Sequence, residues 1–338
     1  MKTVTVTFTE KEKVGYIESE VPELRENEIL IKTARTLIST GTEISVFAGR
    51  HTNALLGMKG AWGTFPFQSG YINAGKVMET GSSVKEIQKG DRVLSICCNT
   101  TIAKAPVDQV IKIPDNVTDE EALFTIIANI VFPAIRQSTI SLGDNAVVVG
   151  LGLLGQFALQ FLRLNGAIPA LGVDISDYRL NLAAKMGATT LINSAKTDML
   201  KEVKNLTGGR GADVVIELTG IPKLFSSVCA LARAGGKVIL LSSPHGSAEL
   251  DLYTDIHKRS LNVIGVGSGL SVPKVEEFYS RWTIGNTKNF ILKLIGDKTL
   301  RVNEMISHRY HWENAHEAYA MLLKDRGSAM GVILEWES

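Results

Sequence analysis

Cysteine is scarce in this chain, with Cys97, Cys98 and Cys229 the only three in 338 residues. An odd count with an adjacent pair excludes a disulfide framework and points to a reducing compartment. Zinc-finger spacings are absent too. No run reaches the roughly 18 apolar residues of a membrane span. Met1 to Phe8 alternates like a strand and lacks the apolar region of a signal peptide. The expectation is a cytoplasmic protein with no membrane partner. Neither sign of charge is in excess: 36 Lys and Arg against 35 Asp and Glu leave +1. With no basic stripe, nucleic acid is excluded as a partner. Internal repeats, low-complexity tracts and flexible linkers are also missing. What remains is 45% hydrophobic and 21% charged, ordinary globular composition in a chain long enough for two cores.

The most informative stretch present is Val147-Val148-Val149-Gly150-Leu151-Gly152-Leu153-Leu154-Gly155. A β-branched run suits a strand buried on both faces. The glycines then permit a tight turn, close approach of backbone to a pyrophosphate, and close packing of the next helix. That helix N-terminus, at Leu153 and Leu154, offers free N–H groups and a positive dipole end to phosphates. Leu154 to Leu164 has a helical apolar pattern, Gly166 stops it, and Pro169 to Asp174 reads as a second strand. Asp174 stands 24 positions after Gly150, where a carboxylate would accept hydrogen bonds from the adenosine ribose. The expected cofactor is NAD, because a carboxylate there repels the 2′-phosphate of NADP. Arg179 is open to two readings: it accommodates a 2′-phosphate, or it lies over the adenine while Asp174 holds the ribose.

Residues 1 to about 125 read as short strands, at Thr3 to Thr7, Ile29 to Ala34, Asn73 to Glu79, Arg92 to Ile96 and Asp108 to Lys112. This is an all-β pattern, expected as a partly closed barrel. From Glu120 long apolar helices alternate with strands, the texture of a doubly wound sheet. Six strands are expected there: Ala146 to Val149, Ala170 to Val173, Thr190 to Asn193, Asp213 to Leu218, Lys237 to Leu241 and Asn262 to Val266. Beyond Gly269 follow a helix at Val272 to Tyr279, another at Trp312 to Leu323, and a strand at Gly331 to Trp336. The fold class is α/β, with a catalytic domain at 1–125 and 268–338 and a dinucleotide-binding domain at 126–267.

Further landmarks occur in order: Thr40-Gly41-Thr42-Glu43, Gly70-Tyr71-Ile72-Asn73-Ala74-Gly75-Lys76-Val77, Gly90-Asp91-Arg92-Val93, Asp213-Val214-Val215-Ile216-Glu217-Leu218-Thr219-Gly220 and Gly235-Gly236-Lys237-Val238. With these the chain resembles, nearly end to end, the medium-chain dehydrogenase/reductase superfamily that includes zinc alcohol and polyol dehydrogenases. The resemblance implies a GroES-like β-barrel catalytic domain, formed by both chain ends, and a central Rossmann domain. It also adds Thr219 and Ser242 to the cofactor site. The family's catalytic zinc ligands are missing: Thr40 stands for Cys, Tyr71 for His, Ile72 for the adjoining Glu and Ile126 for the later Glu. Thr, Tyr and Ile cannot form the N, S or carboxylate set that zinc needs. No metal is therefore expected. The string Ile38-Ser39-Thr40-Gly41-Thr42-Glu43 looks like the branch typified by bacteriochlorophyllide dehydrogenase.

Oxidising an alcohol without zinc requires a protein group to take the hydroxyl proton. Tyr71 either exchanges a proton with the substrate oxygen or fills the vacated metal position as packing. Thr42 matches the hydroxyl of the family's proton relay. Glu43 matches the acid behind the metal, where it orients Tyr71 or serves as a structural carboxylate. His51 and Lys59 lie in an insertion-like stretch, Arg50 to Thr64, that is a candidate substrate loop. His245 is the imidazole best placed to reach the nicotinamide region, and Asn129 either binds substrate or satisfies a helix end. The expected activity is NAD-dependent, zinc-independent hydride transfer with a secondary alcohol such as a sugar, polyol or related hydroxylated metabolite. Alternatives are an NADPH-dependent quinone or enoyl reductase and a catalytically inactive nucleotide-binding protein. An apolar strand at Leu261 to Gly267 predicts an edge that needs covering, hence a homodimer or homotetramer.

Overall fold

The computed structural model describes residues 1–267, 273, 275–277 and 280–337. The chain opens with strands β1 (Lys2–Glu10), β2 (Lys13–Glu20) and β3 (Glu28–Ile38), then helices α1 (Thr42–Phe47) and α2 (Thr52–Leu55). Five short strands follow: β4 (Phe67–Gln68), β5 (Asn73–Thr80), β6 (Arg92–Ser95), β7 (Ile102–Pro106) and β8 (Val110–Lys112). Helix α3 (Asp119–Ser138) leads to alternating elements: β9 (Ala146–Val149), α4 (Leu153–Leu164), β10 (Ala170–Asp174), α5 (Asp177–Lys185), β11 (Thr190–Asn193) and α6 (Met199–Leu206). The alternation continues with β12 (Ala212–Glu217), α7 (Phe225–Leu231), β13 (Ala232–Leu240) and β14 (Asn262–Gly265). The chain ends with α8 (Ile284–Gly296), β15 (Ile306–His311), α9 (Ala315–Lys324) and β16 (Gly331–Glu335). The helix expected at Val272 to Tyr279 lies largely outside the described residues.

Contacts divide the chain into two compact units, Met1–Ile126 with Lys288–Ser338, and Ile127–Thr287. The second border falls at Thr287, later than the 267/268 border expected from sequence texture. The reason is Trp282, which packs its ring 4.8 Å from Phe132 and lies under the Arg136 guanidinium, both on the second-unit part of α3.

The first unit contains a three-stranded sheet in the order β2-β1-β4 and a seven-stranded sheet, β15-β16-β3-β5-β6-β8, with β7 also paired to β3. Alternation along β1 sends Val6 and Phe8 into a core shared with Ile38, Phe47, Tyr319 and Leu334. On α9 the buried residues Ala315, Ala318, Tyr319 and Leu322 follow helical spacing, which carries the Tyr319 ring into that core edge-on to Phe8 at 4.8 Å.

The second unit is a six-stranded sheet in the order β11-β10-β9-β12-β13-β14, parallel at every pairing. This is the doubly wound order 3-2-1-4-5-6, whose ligands bind outside the carboxyl ends of the strands where the order reverses. The central strand β9 is buried at all four residues, as a parallel strand covered on both faces must be.

Candidate functional site

In the second unit the strand β9 ends in a turn built by glycines. Gly150 has φ +97°, and a Cβ there would lie 2.9 Å from the Thr219 nitrogen. Gly155 lets α4 approach β9, since its Cβ would lie 2.1 Å from the Gly150 carbonyl oxygen. Gly152 is different: a Cβ there would meet nothing within 4 Å. It caps α4 without a side-chain hydrogen bond, so open space stands beside the N–H groups of Leu153 and Leu154. Such a cradle fits a pyrophosphate.

Asp174, at the carboxyl end of β10, is buried. Its Oδ2 accepts from the Leu151 N–H at 2.7 Å and its Oδ1 from the Ser176 N–H at 2.9 Å. Each oxygen retains acceptor capacity for a ribose hydroxyl. Arg179 points its Nη1 at Asp174 Oδ2 from 3.7 Å, pairing with that carboxylate. Gln156 donates to the Leu151 and Arg179 carbonyls, pinning the glycine turn to α5.

Thr219 and Ser242 follow the carboxyl ends of β12 and β13, at the same edge of the sheet. Both are held by Glu217, which the sequence reading quoted only as part of a string. Glu217 Oε1 accepts from the Thr219 N–H at 2.6 Å and from its hydroxyl, while Oε2 accepts from the Ser242 hydroxyl. A carboxylate ending the apolar run Val214-Val215-Ile216 must have such partners when buried, which was the available signal. The structure therefore brings Gly150, Gly152, Leu153, Leu154, Gly155, Asp174, Arg179, Thr219 and Ser242 to one edge of the second unit. These residues fit a dinucleotide.

In the first unit, Ser39 closes β3, Thr42 and Glu43 open α1, and Tyr71 precedes β5. The Tyr71 hydroxyl donates to Ser39 Oγ at 2.7 Å. Burial pushes the phenol pKa above its ordinary value, and the negative charge of Glu43 adds to the rise. Tyr71 is therefore a neutral donor at neutral pH rather than a ready base.

Glu43 does not touch the Tyr71 hydroxyl. Its Oε1 accepts from the Ser39 N–H at 2.7 Å, and Oε2 accepts from the Tyr319 hydroxyl at 2.6 Å and from Asn99 Nδ2 at 3.4 Å. Burial pushes its pKa up to about 7, against the lowering effect of these donors and of the Gly70 backbone. Asn99 and Tyr319 carry no sequence motif, and both escaped the sequence reading.

The other nominated side chains have plainer places. His51 caps α2, accepting from the Asn53 N–H, with its ring 5.1 Å from Trp62. Lys59 is exposed. His245 is half-buried, and desolvation lowers its pKa. Asn129 lies within α3, with its Oδ1 buried and unpaired.

A zinc ion does not fit the residues at the family's ligand positions. Ile72 and Ile126 are buried hydrocarbons, Thr40 offers a hydroxyl and Tyr71 a phenol, none of them among the N, S or carboxylate groups that hold zinc. Among the described residues no three His, Cys, Asp or Glu gather to hold a metal. Cys97 and Cys98 are free thiols, and burial pushes them up to about 11 and about 12.

Comparison with known proteins finds two domain matches. Residues 25–115 match the alcohol dehydrogenase GroES-like domain, and residues 154–282 match the zinc-binding dehydrogenase domain. The chain has the two domains of a medium-chain dehydrogenase/reductase. L-threonine 3-dehydrogenase of Pseudoalteromonas translucida is 26% identical, over 94% of each chain. An Escherichia coli oxidoreductase/dehydrogenase of unknown specificity, involved in membrane biogenesis, superposes with a TM-score of 0.86 at 21% identity, covering 99% of both chains. A Sinorhizobium meliloti dehydrogenase structure bound to NADP superposes with a TM-score of 0.81 at 20% identity, again over 99% of each. The α/β class with a GroES-like domain and a parallel Rossmann sheet is the one expected from the sequence. The zinc that the matched domain's name carries has no ligand set at those positions here.

Proposed function

We propose that the chain is an NAD-dependent, zinc-independent dehydrogenase acting on a secondary alcohol such as a sugar, polyol or related hydroxylated metabolite. It would belong to a zinc-lacking branch of its superfamily, like bacteriochlorophyllide dehydrogenase. One observation carries the reading: the Tyr71 hydroxyl, held by Ser39, stands at the position where the resemblance puts a zinc-ligating histidine.

Each unit supplies half of the chemistry. The second holds NAD through the Gly150 to Gly155 turn, Asp174, Thr219 and Ser242, and the nicotinamide supplies the hydride acceptor when bound. In the first, the neutral Tyr71 phenol hydrogen-bonds the substrate oxygen, and Thr42 and Ser39 provide hydroxyls along which a proton exchanges. Oxidation releases one carbonyl product, one reduced cofactor and one proton. The relative named L-threonine 3-dehydrogenase specifies a secondary alcohol, which supports the substrate class. Asp174 favours NAD by charge. Arg179 beside it, with the NADP-bound relative, favours the phosphorylated cofactor as a second reading.

Free thiols suit a reducing, cytoplasmic setting. Among the described residues no helix is long and apolar enough to cross a membrane. The edge strand β14, with Val263 exposed, supports a homodimer or homotetramer.

The reading is tested by NAD reduction against sugars, polyols and secondary alcohols with Tyr71→Phe in parallel. Loss of the phenolic proton should lower kcat by roughly 10²- to 10⁴-fold while NAD affinity is unchanged. Full activity of Tyr71→Phe would sink the assignment. Tighter binding of NADP than NAD would shift the cofactor to the second reading.

A further inference from the structure

Glu43 sits among uncharged donors contributed from distant parts of the chain. The Tyr319 hydroxyl reaches it from α9 at 2.6 Å, and Asn99 reaches it from the segment between β6 and β7 at 3.4 Å. The two Asn99 Nδ2 hydrogens are taken chiefly by Ser69 Oγ and the Tyr319 oxygen, both at 3.0 Å, so its 3.4 Å contact with Glu43 is the weaker one and Asn99 acts on the carboxylate largely by holding Tyr319. Glycine is required at position 70 because a Cβ there would lie 2.4 Å from the Asn99 side chain, and φ is +83°. Glu43, Asn99 and Tyr319 are all essentially inaccessible to solvent. Elsewhere, the Tyr319 ring is already fixed by Phe8 and Phe47, so its hydroxyl is free to serve the carboxylate.

We propose that Tyr319 and Asn99 are positioning residues of the Tyr71 site: they clamp the Glu43 carboxylate against the Ser39 backbone and thereby set the direction and strength of the Tyr71 hydrogen bond. This rests on the functional reading of Tyr71 given above. The link runs through Ser39, whose N–H donates to Glu43 Oε1 while its Oγ accepts from Tyr71. A rotated Glu43 would release the Ser39 N–H, and a protonated one would accept from it more weakly, in either case relaxing the phenol's partner. Buried donors worth this much are rarely kept for packing alone, since phenylalanine would fill the ring's place without a polar atom to satisfy.

The groups that titrate around Glu43 are Tyr319 on α9 and Tyr71 before β5; Ser39, Gly70 and Asn99 carry no charge. Tyr319 favours the ionised carboxylate, so removing its hydroxyl moves the Glu43 titration upward. The test uses Tyr319→Phe in the full-length protein, with two readouts: the pH profile of kcat, and carbon-13 NMR titration of the Glu43 carboxyl. The expected result is an upward shift of about one pH unit in the carboxyl titration and in the acidic limb of kcat. Turnover at neutral pH should also fall about fivefold, as the ionised fraction of Glu43 drops, with KM little changed. Asn99→Ala, which removes the longer contact, should shift both in the same direction by less, and serves if Tyr319→Phe does not fold. An unchanged carboxyl titration and an unchanged acidic limb overturn the proposal. Should Tyr71→Phe retain full turnover, the reading of the site fails, while the NMR titration still judges the clamp by itself.

Discussion

Glu43 couples the candidate site to stability through its proton. Its pKa, pushed by burial to about 7, lies above the ordinary carboxylate value of the unfolded chain. The folded state thus binds the extra proton between about pH 4.5 and 7, and stability falls as pH rises through that window. The difference amounts to about 3 kcal/mol. Glu43→Gln should abolish this component, so urea midpoints of parent and variant should diverge from pH 5 to pH 7, the parent losing more. Parallel curves would contradict the assignment. Surface carboxylates held low by cations, such as Asp213 beside Arg233, act in the opposite direction at lower pH and are common to both proteins. At this scale, legibility followed sequence distance. Gly150, Asp174 and Tyr71 were readable because a turn, a strand end and a motif position announce them locally. Glu217, Asn99 and Tyr319 were not, because their meaning lies in partners that only folding supplies. The Tyr319 partner Glu43 is 276 positions away.

Among the elements, the glycine turn between β9 and α4 separates folding from ligand binding. Gly155→Ala drives a Cβ into the Gly150 carbonyl and should destabilise the second unit by at least about 2 kcal/mol. Gly152→Ala, with open space and φ −66°, should leave the melting temperature nearly unchanged, within about 0.5 kcal/mol. It should nevertheless weaken NAD binding by roughly tenfold or more, about 1.4 kcal/mol. Paired thermal melts and NAD titrations check both, and unimpaired NAD binding by Gly152→Ala would show that the cradle is not the pyrophosphate site. The strands that sequence pattern located best lie side by side in the parallel sheet: β9 and β11 match their expected bounds and β10 differs by one residue, β9 and β10 being fully buried and β11 an edge strand with only Ile192 buried. Strand β2, mostly exposed and rich in charge, has no apolar alternation to betray it and forms only because β1 offers an antiparallel edge. Strand β15 was missed for a similar reason, its Ser307-His308-Arg309 stretch being polar, and it is recruited by parallel pairing with β16.

For the whole molecule, two units with separate cores and two domain matches establish the architecture of a medium-chain dehydrogenase/reductase. Composition could bound this outcome but not place the later border, which depends on Trp282 packing onto α3. The exposed edge at β14 predicts a subunit count above one by light scattering. A charged substitution such as Val263→Lys should shift that count downward, whereas a parent protein that is monomeric at micromolar concentration would refute the edge as an interface. The proposed departure is chemical: Thr40, Tyr71, Ile72 and Ile126 stand at the positions where the resemblance puts zinc ligands. The decisive measurement is therefore elemental analysis of the purified, active protein, followed by turnover before and after exhaustive chelation. Far less than one zinc per chain and an unchanged kcat after chelation are expected. Stoichiometric zinc whose removal abolishes turnover, and whose return restores it, would contradict the zinc-independent reading.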